Sequence, residues 1–196
     1  RGIAVTLVDH AARILDGKGE FAIITASLTA GNMIEWQREI EKYREEKYPD
    51  LKMATLLPCD DDQKKAFDQA NTILNAHPDV KVIMGICTPA VPGAAEAVKQ
   101  ANRKDVKVIG LALPEVNRDY IHEGIVDCVV LWKTGDLGYL TILAAKALIE
   151  GNLKVGDTEF DGGKLGKFTI EGDNILLGTP FTFNKDNVDQ FVTGAK

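Results

Sequence analysis

Short apolar runs alternate with longer segments of helical spacing over roughly the first two thirds of the chain. Five of these runs are rich in Val and Ile and apolar along most of their length, as strands covered on both faces are. They are Phe21–Ala26, Lys52–Leu57, Val80–Ile86, Val106–Ala112 and Ile125–Leu131. Strands that alternate with helices are typical of repeated βαβ units. We therefore predict an α/β protein with a three-layer, doubly wound parallel sheet.

The segments between these strands carry apolar residues at helical spacing. The pattern predicts four helices between the strands, over Met33–Lys47, Asp62–Ala76, Pro92–Asn102 and Pro114–Glu123, and the opening "RGIAVTLVDHAARIL" indicates another. A last helix, Asp136–Glu150, has Leu140, Leu143, Ala144 and Leu148 on one face. Because that face is apolar, we expect this helix to be packed.

Beyond Gly151 the chain becomes glycine-rich, with short alternating runs. This composition predicts irregular turns and small strands. A domain boundary is expected at Gly151 or earlier, near the strand that leads to Trp132. Because Arg1 already lies inside a helical pattern, we also expect the chain to be processed or shortened at its front.

Composition and charge exclude several classes of function. A chain of 196 residues with 45% hydrophobic residues is long enough for one substantial core or two small ones. The net charge is −6, and no Lys/Arg cluster has aromatics interleaved with it, so we predict no nucleic-acid partner. No apolar stretch approaches the roughly 20 residues of a membrane-spanning helix. The three cysteines, Cys59, Cys87 and Cys128, lie in or beside apolar runs, and their odd number argues against a disulfide framework.

Ligands of open α/β sheets bind beyond the carboxyl ends of the strands, where loops converge and helix N-termini offer free amides. This rule selects five segments without any motif, namely Thr29–Met33, Cys59–Asp61, Ile86–Pro89, Ala112–Pro114 and Trp132–Asp136. Asn32 can hydrogen-bond a hydroxyl or cap a helix, and both roles are open. Trp36 can stack on a sugar ring or anchor its helix in the core. Lys133 and Asp136 either contact a ligand or pair with each other.

The residues for catalysis are sparse. The run Asp60–Asp62 is similar to a phosphoacceptor site, yet such a run also suits a helix N-terminus. Cys87 would need a neighbouring base to act as a nucleophile, and the sequence places none of the histidines beside it, whether His10, His77 or His122. Phosphate-binding, dinucleotide-binding and metal-ligand spacings are absent from the sequence. We therefore predict no catalytic residue, cofactor or metal, and favour binding; an α/β enzyme using Cys87 or the Asp60 cluster is an alternative.

Several separated stretches resemble the sugar-binding proteins of ABC importers, in the branch that includes rhamnose-binding and autoinducer-2-binding proteins. They are "KGEFAIITASLTAGNMIEWQREI", "TPAVPGAAEAVKQA", "VIGLALPEVNRDYIHEGIVDCVVLWKTGDLGY" and the tail "LGTPFTFNKDNVDQF". The resemblance implies a type I periplasmic-binding-protein-like fold, with two α/β lobes that are joined by hinge strands and close on a ligand.

The resemblance also implies a domain organisation. Residues 1–127 would form the C-terminal lobe, and residues 128–196 the hinge, a remnant of the N-terminal lobe and the C-terminal tail. The front part of the family's N-terminal lobe has no counterpart in this sequence. We therefore expect the remnant to be exposed and the chain to self-associate.

The family's first strand-end loop is similar to Thr-x-x-Asn/Asp-Gln-Asn-x-Trp, with amides that contact ligand hydroxyls. Thr29, Asn32 and Trp36 match it, whereas Met33 and Ile34 replace amides. Loss of an amide at Met33 removes a donor and an acceptor, so we expect a ligand preference that differs from the family's usual one. The ligand-binding residues that the resemblance implies are Asn32, Met33, Ile86, Thr88, Ala112 and Trp132.

The function implied is the solute-binding component of an ABC transporter, not an enzyme, which captures a sugar or sugar-like ligand of the rhamnose or autoinducer-2 type. Its partners would be that ligand and an ABC permease in the membrane. The expected location is the periplasm, or the outer face of the membrane if the source is Gram-positive. The effector-sensing domain of a sugar-responsive transcription regulator shares this fold and is the alternative.

Overall fold

A computed structural model describes residues 1–192 of the chain. Its helices are α1 (Gly2–Ile14), α2 (Gly31–Lys47), α3 (Gln63–Ala76), α4 (Ala90–Gln100), α5 (Pro114–His122) and α6 (Thr134–Glu150). Its strands are β1 (Gly19–Thr25), β2 (Leu51–Pro58), β3 (Val80–Gly85), β4 (Lys107–Leu111), β5 (Val126–Leu131), β6 (Glu159–Asp161), β7 (Lys167–Glu171), β8 (Asn174–Ile175) and β9 (Phe181–Phe183). Two short 3₁₀ helices cover Gly163–Leu165 and Val188–Gln190.

The chain divides into two units. The first contains Arg1–Leu131 together with the returning chain from Thr182 on, and the second contains Trp132–Phe181. None of the helices in residues 1–192 has the length and apolar character needed to cross a bilayer.

The first unit is built on a six-stranded sheet with the strand order β2-β1-β3-β4-β5-β9. The pairs from β2 through β5 are all parallel. Helices α1 and α2 pack together, with α1 against β3, β4 and β5, while α3, α4 and α5 form the opposite layer. This arrangement confirms the predicted three-layer, doubly wound parallel sheet.

Burial on both faces explains why the strands are continuously apolar. Phe21, Ile23 and Ile24 of β1 are buried, and so are Val82, Ile83 and Met84 of β3. Within one helical layer α3 and α4 pack at close range, because a Cβ on Gly93 of α4 would lie 2.6 Å from the Gln63 carbonyl oxygen of α3. The core therefore lies between the sheet and its two helical layers.

Three helices, α2, α4 and α6, begin two residues earlier than the pattern predicts, and α6 starts at Thr134. Helix α2 starts at Gly31, two residues before Met33, and its N-cap residue Ala30 makes no side-chain capping bond. Helix α4 starts at Ala90 with Pro89 as its N-cap, so Pro92 lies within the first turn. A proline is tolerated there because the first amides of a helix have no intrahelical partner.

The second unit contains α6 and the antiparallel strands β6, β7 and β8. Gly151 ends α6 in the left-handed conformation (φ 73°) that glycine adopts without strain. The small strands predicted for this region are therefore present. The expected packing of α6 holds in part, because Leu140 is buried and Leu143 and Ala144 are half-buried, whereas the Leu148 side chain is 59% exposed.

Candidate ligand-binding site

The candidate site lies where β1 and β3 end side by side at the carboxyl edge of the sheet. The register pairs Ile24 with Gly85, and the Ile86 amide donates a hydrogen bond to the Ile24 carbonyl at 2.9 Å. Helix α2, which follows β1, lies on one face, and α4, which follows β3, lies on the other. The two connecting loops therefore diverge, which is the topology that opens a ligand crevice in doubly wound sheets.

The β1–α2 loop is held by a small hydroxyl network. Thr25 is buried at the end of β1, and its Oγ1 accepts a hydrogen bond from Gln37 Nε2 at 3.3 Å. Ser27 Oγ lies 3.1 Å from Thr29 Oγ1 and also accepts a bond of 3.1 Å from the Thr29 amide. The loop is thus ordered by its own polar side chains, while the Thr29 side chain stays exposed.

Asn32 and Met33 occupy the first turn of α2 and point to different surroundings. Asn32 does not cap the helix, since the N-cap residue is Ala30. Its side chain is exposed, and within residues 1–192 it has no hydrogen-bond partner, so the amide can bind a hydroxyl. Met33 is 9% exposed, so most of its side chain packs in the core and only a small apolar part is left for a ligand to contact.

The β3–α4 loop supplies one exposed hydroxyl. Ile86 is fully buried, which leaves its backbone as the part that can meet a ligand. Thr88 is exposed, and its hydroxyl makes no hydrogen bond to any residue that the structure describes. Ala112, at the end of β4, is fully buried. The edge therefore offers the free side chains of Asn32, in the first turn of α2, and of Thr88, in the β3–α4 loop.

Trp132 belongs to the second unit, where it begins the segment Trp132–Phe181 and is half-buried. In the same unit the Lys133 ammonium lies 5.3 Å from the centre of the Phe181 ring. No ion pair joins Lys133 to Asp136 in the described part of the chain. Trp36, on α2 in the first unit, is half-buried.

The acidic run after β2 is a helix start. The Asp62 carboxylate accepts a bond of 2.7 Å from the Lys65 amide and so caps α3. Asp60 pairs with the Lys65 ammonium at 2.8 Å. Asp60 and Asp61 both have left-handed backbones, with φ values of 53° and 56°. Helix capping accounts for Asp62 and ion pairing accounts for Asp60, which weakens the hypothesis that the Asp60 cluster is a phosphoacceptor site.

Two buried cysteines meet beside the candidate site. Cys59 Sγ, at the end of β2, lies 3.5 Å from Cys87 Sγ in the β3–α4 loop. A hydrogen bond from Cys87 lowers the pKa of Cys59 to about 7. Donating that bond, together with burial, raises the pKa of Cys87. A raised pKa disfavours the thiolate that a nucleophile requires, so Cys87 does not suit the enzyme alternative.

The histidines that could activate Cys87 have other neighbours. His10 lies 3.6 Å from Asp127, and His122 lies 3.0 Å from Asp189. His10, Asp127 and Cys128 form the one group of potential metal ligands found within residues 1–192, with ligand atoms inside 4.8 Å. This group includes the start of β5, at the amino edge of the sheet, and Arg13 already binds the same Asp127 oxygen.

Comparison with known families shows to which kind of protein this chain belongs. A model described as a periplasmic binding protein domain matches residues 1–153. The chain belongs to this periplasmic binding protein family. The membership agrees with the resemblance in sequence and with the prediction of binding over catalysis.

Individual relatives of this periplasmic binding protein are named as sugar-transport proteins. A D-apiose import binding protein of Paraburkholderia graminis is 38% identical over 87 residues, which are 44% of this chain and 28% of that protein. The structure of a sugar ABC transporter from Actinomyces odontolyticus matches with a TM-score of 0.83 and 31% identity, over 96% of this chain and 62% of that one. The structure of a solute binding protein from Clostridium phytofermentas with bound L-rhamnose matches with a TM-score of 0.83 and 29% identity, over 96% of this chain and 64% of that one.

These matches confirm the predicted type I periplasmic-binding-protein-like fold, and the relatives are named as binding or transport proteins, not as enzymes. The chain spans 28% of the apiose relative and 62% and 64% of the two solved structures.

Sequence reasoning missed two features of this edge. The first is the Gln37–Thr25 hydrogen bond, which the helical spacing of Gln37 does not reveal. The second is the contact between Cys59 and Cys87, which lie 28 residues apart in the sequence. Strand order brings them together, because β2 and β3 both border β1. Two cysteines at the carboxyl ends of predicted parallel strands are the signal that suggests such a meeting.

Proposed function

We propose that this chain is the ligand-binding part of an ABC transporter's solute-binding protein, and that its ligand is a sugar or a sugar-like polyol. The observation that carries the proposal is the crevice edge of a periplasmic binding protein fold that presents a free amide at Asn32 and a free hydroxyl at Thr88. Amide and hydroxyl groups both donate and accept, as sugar hydroxyls do, so they suit polyols better than anions or apolar molecules.

L-Rhamnose is the first candidate ligand, because it is the sugar bound in a relative of 29% identity. D-Apiose is the second, because it is named for a relative of 38% identity over part of the chain. An autoinducer-2-type ligand stays a candidate from the resemblance in sequence. The substitution of Met33 for the family's amide favours a ligand with fewer hydroxyls on that side, since an unmatched buried hydroxyl would lose its hydrogen bonds.

We propose that the whole protein is a two-lobe clamp. We propose that residues 1–127 are one lobe, that residues 128–196 supply the hinge and part of the other, and that Ile86, Ala112 and Trp132 complete the ligand-binding set. Closure of two lobes makes contacts from both sides, which is how a ligand selects the closed state. A permease in the membrane would be the partner of that state, and the protein would work in the periplasm or on the outer face of the membrane.

Surface composition supports the proposal that the second unit is part of a larger lobe. Apolar side chains of α6 are exposed, among them Ile142 at 71% and Ile149 at 88%. Folded proteins rarely leave such residues grouped on one helix face without a covering surface. We propose that the remaining length of the relatives supplies that cover, and that the chain without it self-associates.

Nuclear magnetic resonance of the ¹⁵N-labelled chain tests the binding proposal, because it detects the weak binding expected of one side of a clamp. Titration with L-rhamnose and with D-apiose should shift amides within residues 26–33 and 86–89. Thr88→Val, which keeps the shape and removes the hydroxyl, should weaken binding about 3- to 10-fold, as expected for one neutral hydrogen bond.

The matched control is Thr72→Val, since Thr72 is an exposed threonine near the opposite end of α3 whose hydroxyl bonds the Asp68 carbonyl. It should bind as the unsubstituted chain does. The proposal fails if neither sugar shifts these two loops at high millimolar concentration, or if Thr88→Val and Thr72→Val bind alike. Micromolar affinity of the chain alone would contradict the clamp while leaving sugar binding in place.

A further inference from the structure

Cys59 and Cys87 are the closest pair of reactive groups at the candidate site. Their sulfurs lie 3.5 Å apart, whereas the bond in a disulfide is about 2.05 Å long. An approach of roughly 1.5 Å would therefore join them. Both side chains are buried, Cys59 fully and Cys87 with 5% exposure, so water does not separate them.

Hydrogen bonds to the end of β1 fix the backbone around each of the two cysteines. The Cys59 amide donates to the Thr25 carbonyl at 2.8 Å, and the Ile86 amide donates to the Ile24 carbonyl at 2.9 Å. The Cys87 carbonyl accepts a bond of 3.1 Å from the Ala90 amide at the start of α4. The two thiols are thus held next to each other by the sheet, which raises their effective concentration toward each other.

We propose that Cys59 and Cys87 are a dithiol–disulfide pair, and that their oxidation covalently links the β2–α3 loop to the β3–α4 loop beside the ligand crevice. The oxidant is a small disulfide of the glutathione class. The proposal concerns a modification of the first unit, and it stands whether or not that unit binds a sugar.

The reaction balances as a thiol–disulfide exchange. Cys59, whose thiolate the neighbouring Cys87 thiol stabilises, loses its proton and attacks the small disulfide, and the first departing thiolate takes up a proton and leaves as one small thiol. Once Cys59 is part of the mixed disulfide, its thiolate no longer raises the pKa of Cys87. Cys87 then attacks the Cys59 sulfur, its proton passes to the second departing thiolate, and the protein disulfide forms. Two protein thiols lose two electrons, and one small disulfide is reduced to two small thiols.

The flanking turn provides the route for the reagent. Asp60 and Asp61, directly after Cys59, are exposed, and both adopt the left-handed conformation that non-glycine residues rarely hold. Backbone in that conformation stores strain, so local opening at this turn takes less free energy than opening elsewhere in the core. The oxidising periplasm proposed for the protein is the kind of compartment in which such a bond persists.

Cys128 serves as an internal reference. It lies near the start of β5, within the group formed with His10 and Asp127, and β4 separates its strand from β3. Cys128 is fully buried and lies two strands away from the pair, so it has neither a nearby thiol partner nor access to the reagent. Oxidation should therefore consume two thiols and leave this one.

Mass spectrometry of the chain incubated with oxidised glutathione tests the pair. After alkylation in denaturant, the reduced chain should take up three labels, and the oxidised chain one, on Cys128. Peptide mapping should show a link between Cys59 and Cys87. Because the link closes a 28-residue separation, the melting temperature should rise by about 5 °C or more.

Cys128→Ala should show the same link and the same rise in melting temperature, whereas Cys59→Ala should show neither. Three labels after prolonged oxidation, or a link that involves Cys128, would overturn the proposal. If the melting temperature of the disulfide-linked chain is equal to or below that of the reduced chain, the proposed stabilising link between the two loops is refuted. These readouts need no sugar, so they are independent of the outcome of the binding experiment.

Discussion

At the scale of single residues, Asp189 shows how the returning chain is attached to the first unit. Its carboxylate accepts a bond of 2.6 Å from Arg118 Nε and lies 3.0 Å from His122 Nε2, both on α5. Hydrogen bonds from His122 and Arg118 hold the pKa of Asp189 below its usual value. Such a carboxyl stabilises the fold above its unfolded pKa of about 3.9, and this contribution is lost as the pH falls through the lower, folded pKa.

We therefore expect Asp189→Asn to lower the melting temperature by about 1–3 °C at pH 7, a small shift because the pair is exposed. The difference from the unsubstituted chain should disappear between about pH 4 and pH 2. Asp186→Asn is the control, since Asp186 is exposed and forms no ion pair within residues 1–192. Calorimetric scans across this pH range measure both, and a difference that persists at pH 2 would contradict the assignment.

Residue roles that depend on local sequence were predictable, and those that depend on strand order were not. Asp62 was predicted as part of a helix start because acids suit that position, and it caps α3. Asn32 could not be assigned, because a cap and a free amide look alike until the helix start is known. The Cys59–Cys87 contact arises from the strand order β2-β1-β3, which hydrophobic spacing does not encode.

At the scale of elements, the packing of α3 on α4 depends on one glycine. A Cβ at Gly93 would lie 2.6 Å from the Gln63 carbonyl oxygen and 2.7 Å from Ala66 Cβ. Since both neighbours are helix atoms that cannot rotate away, Gly93→Ala has to push the helices apart. We expect a loss of about 1–3 kcal/mol in the free energy of unfolding, measured by urea denaturation.

Gly31→Ala is the matched control, because Gly31 is also a helical glycine of the first unit and a Cβ there meets no atom within 4 Å. It should be neutral or slightly stabilising. Equal losses for the two variants would show that helix spacing is not limited by Gly93.

The types of the helices and strands could be predicted from the sequence, whereas their ends and their packing were predicted less accurately. The strands β1, β3, β4 and β5 were predictable because burial on both faces leaves a continuous apolar run, whereas the edge strand β2 is mostly half-buried and was found from its apolar composition. The start of α2 was missed because Ala30, its N-cap residue, supplies no side-chain signal. The packing of α6 was predicted in part: Leu140, Leu143 and Ala144 are buried or half-buried, whereas the exposure of Ile142 and Ile149 could not be predicted from an apolar pattern.

At the scale of the whole molecule, that uncovered face governs how the chain behaves in solution. Ile142 and Ile149 are spaced seven residues apart, so they lie on the same side of α6, and they are 71% and 88% exposed. Association of two copies would bury this surface, and the hydrophobic effect favours such burial at roughly 25 cal/mol per Å². We expect light scattering to show a mass above that of the monomer as the concentration rises.

The double variant Ile142→Glu with Ile149→Glu should return the chain to a monomer, because two carboxylates would be desolvated in the contact. Val116→Glu is the control for added charge, since Val116 is an exposed apolar residue of α5, in the first unit. A monomer at all concentrations would contradict the prediction. So would a Val116→Glu chain that dissociates as fully as the double variant, because the contact would then depend on net charge and not on the face of α6.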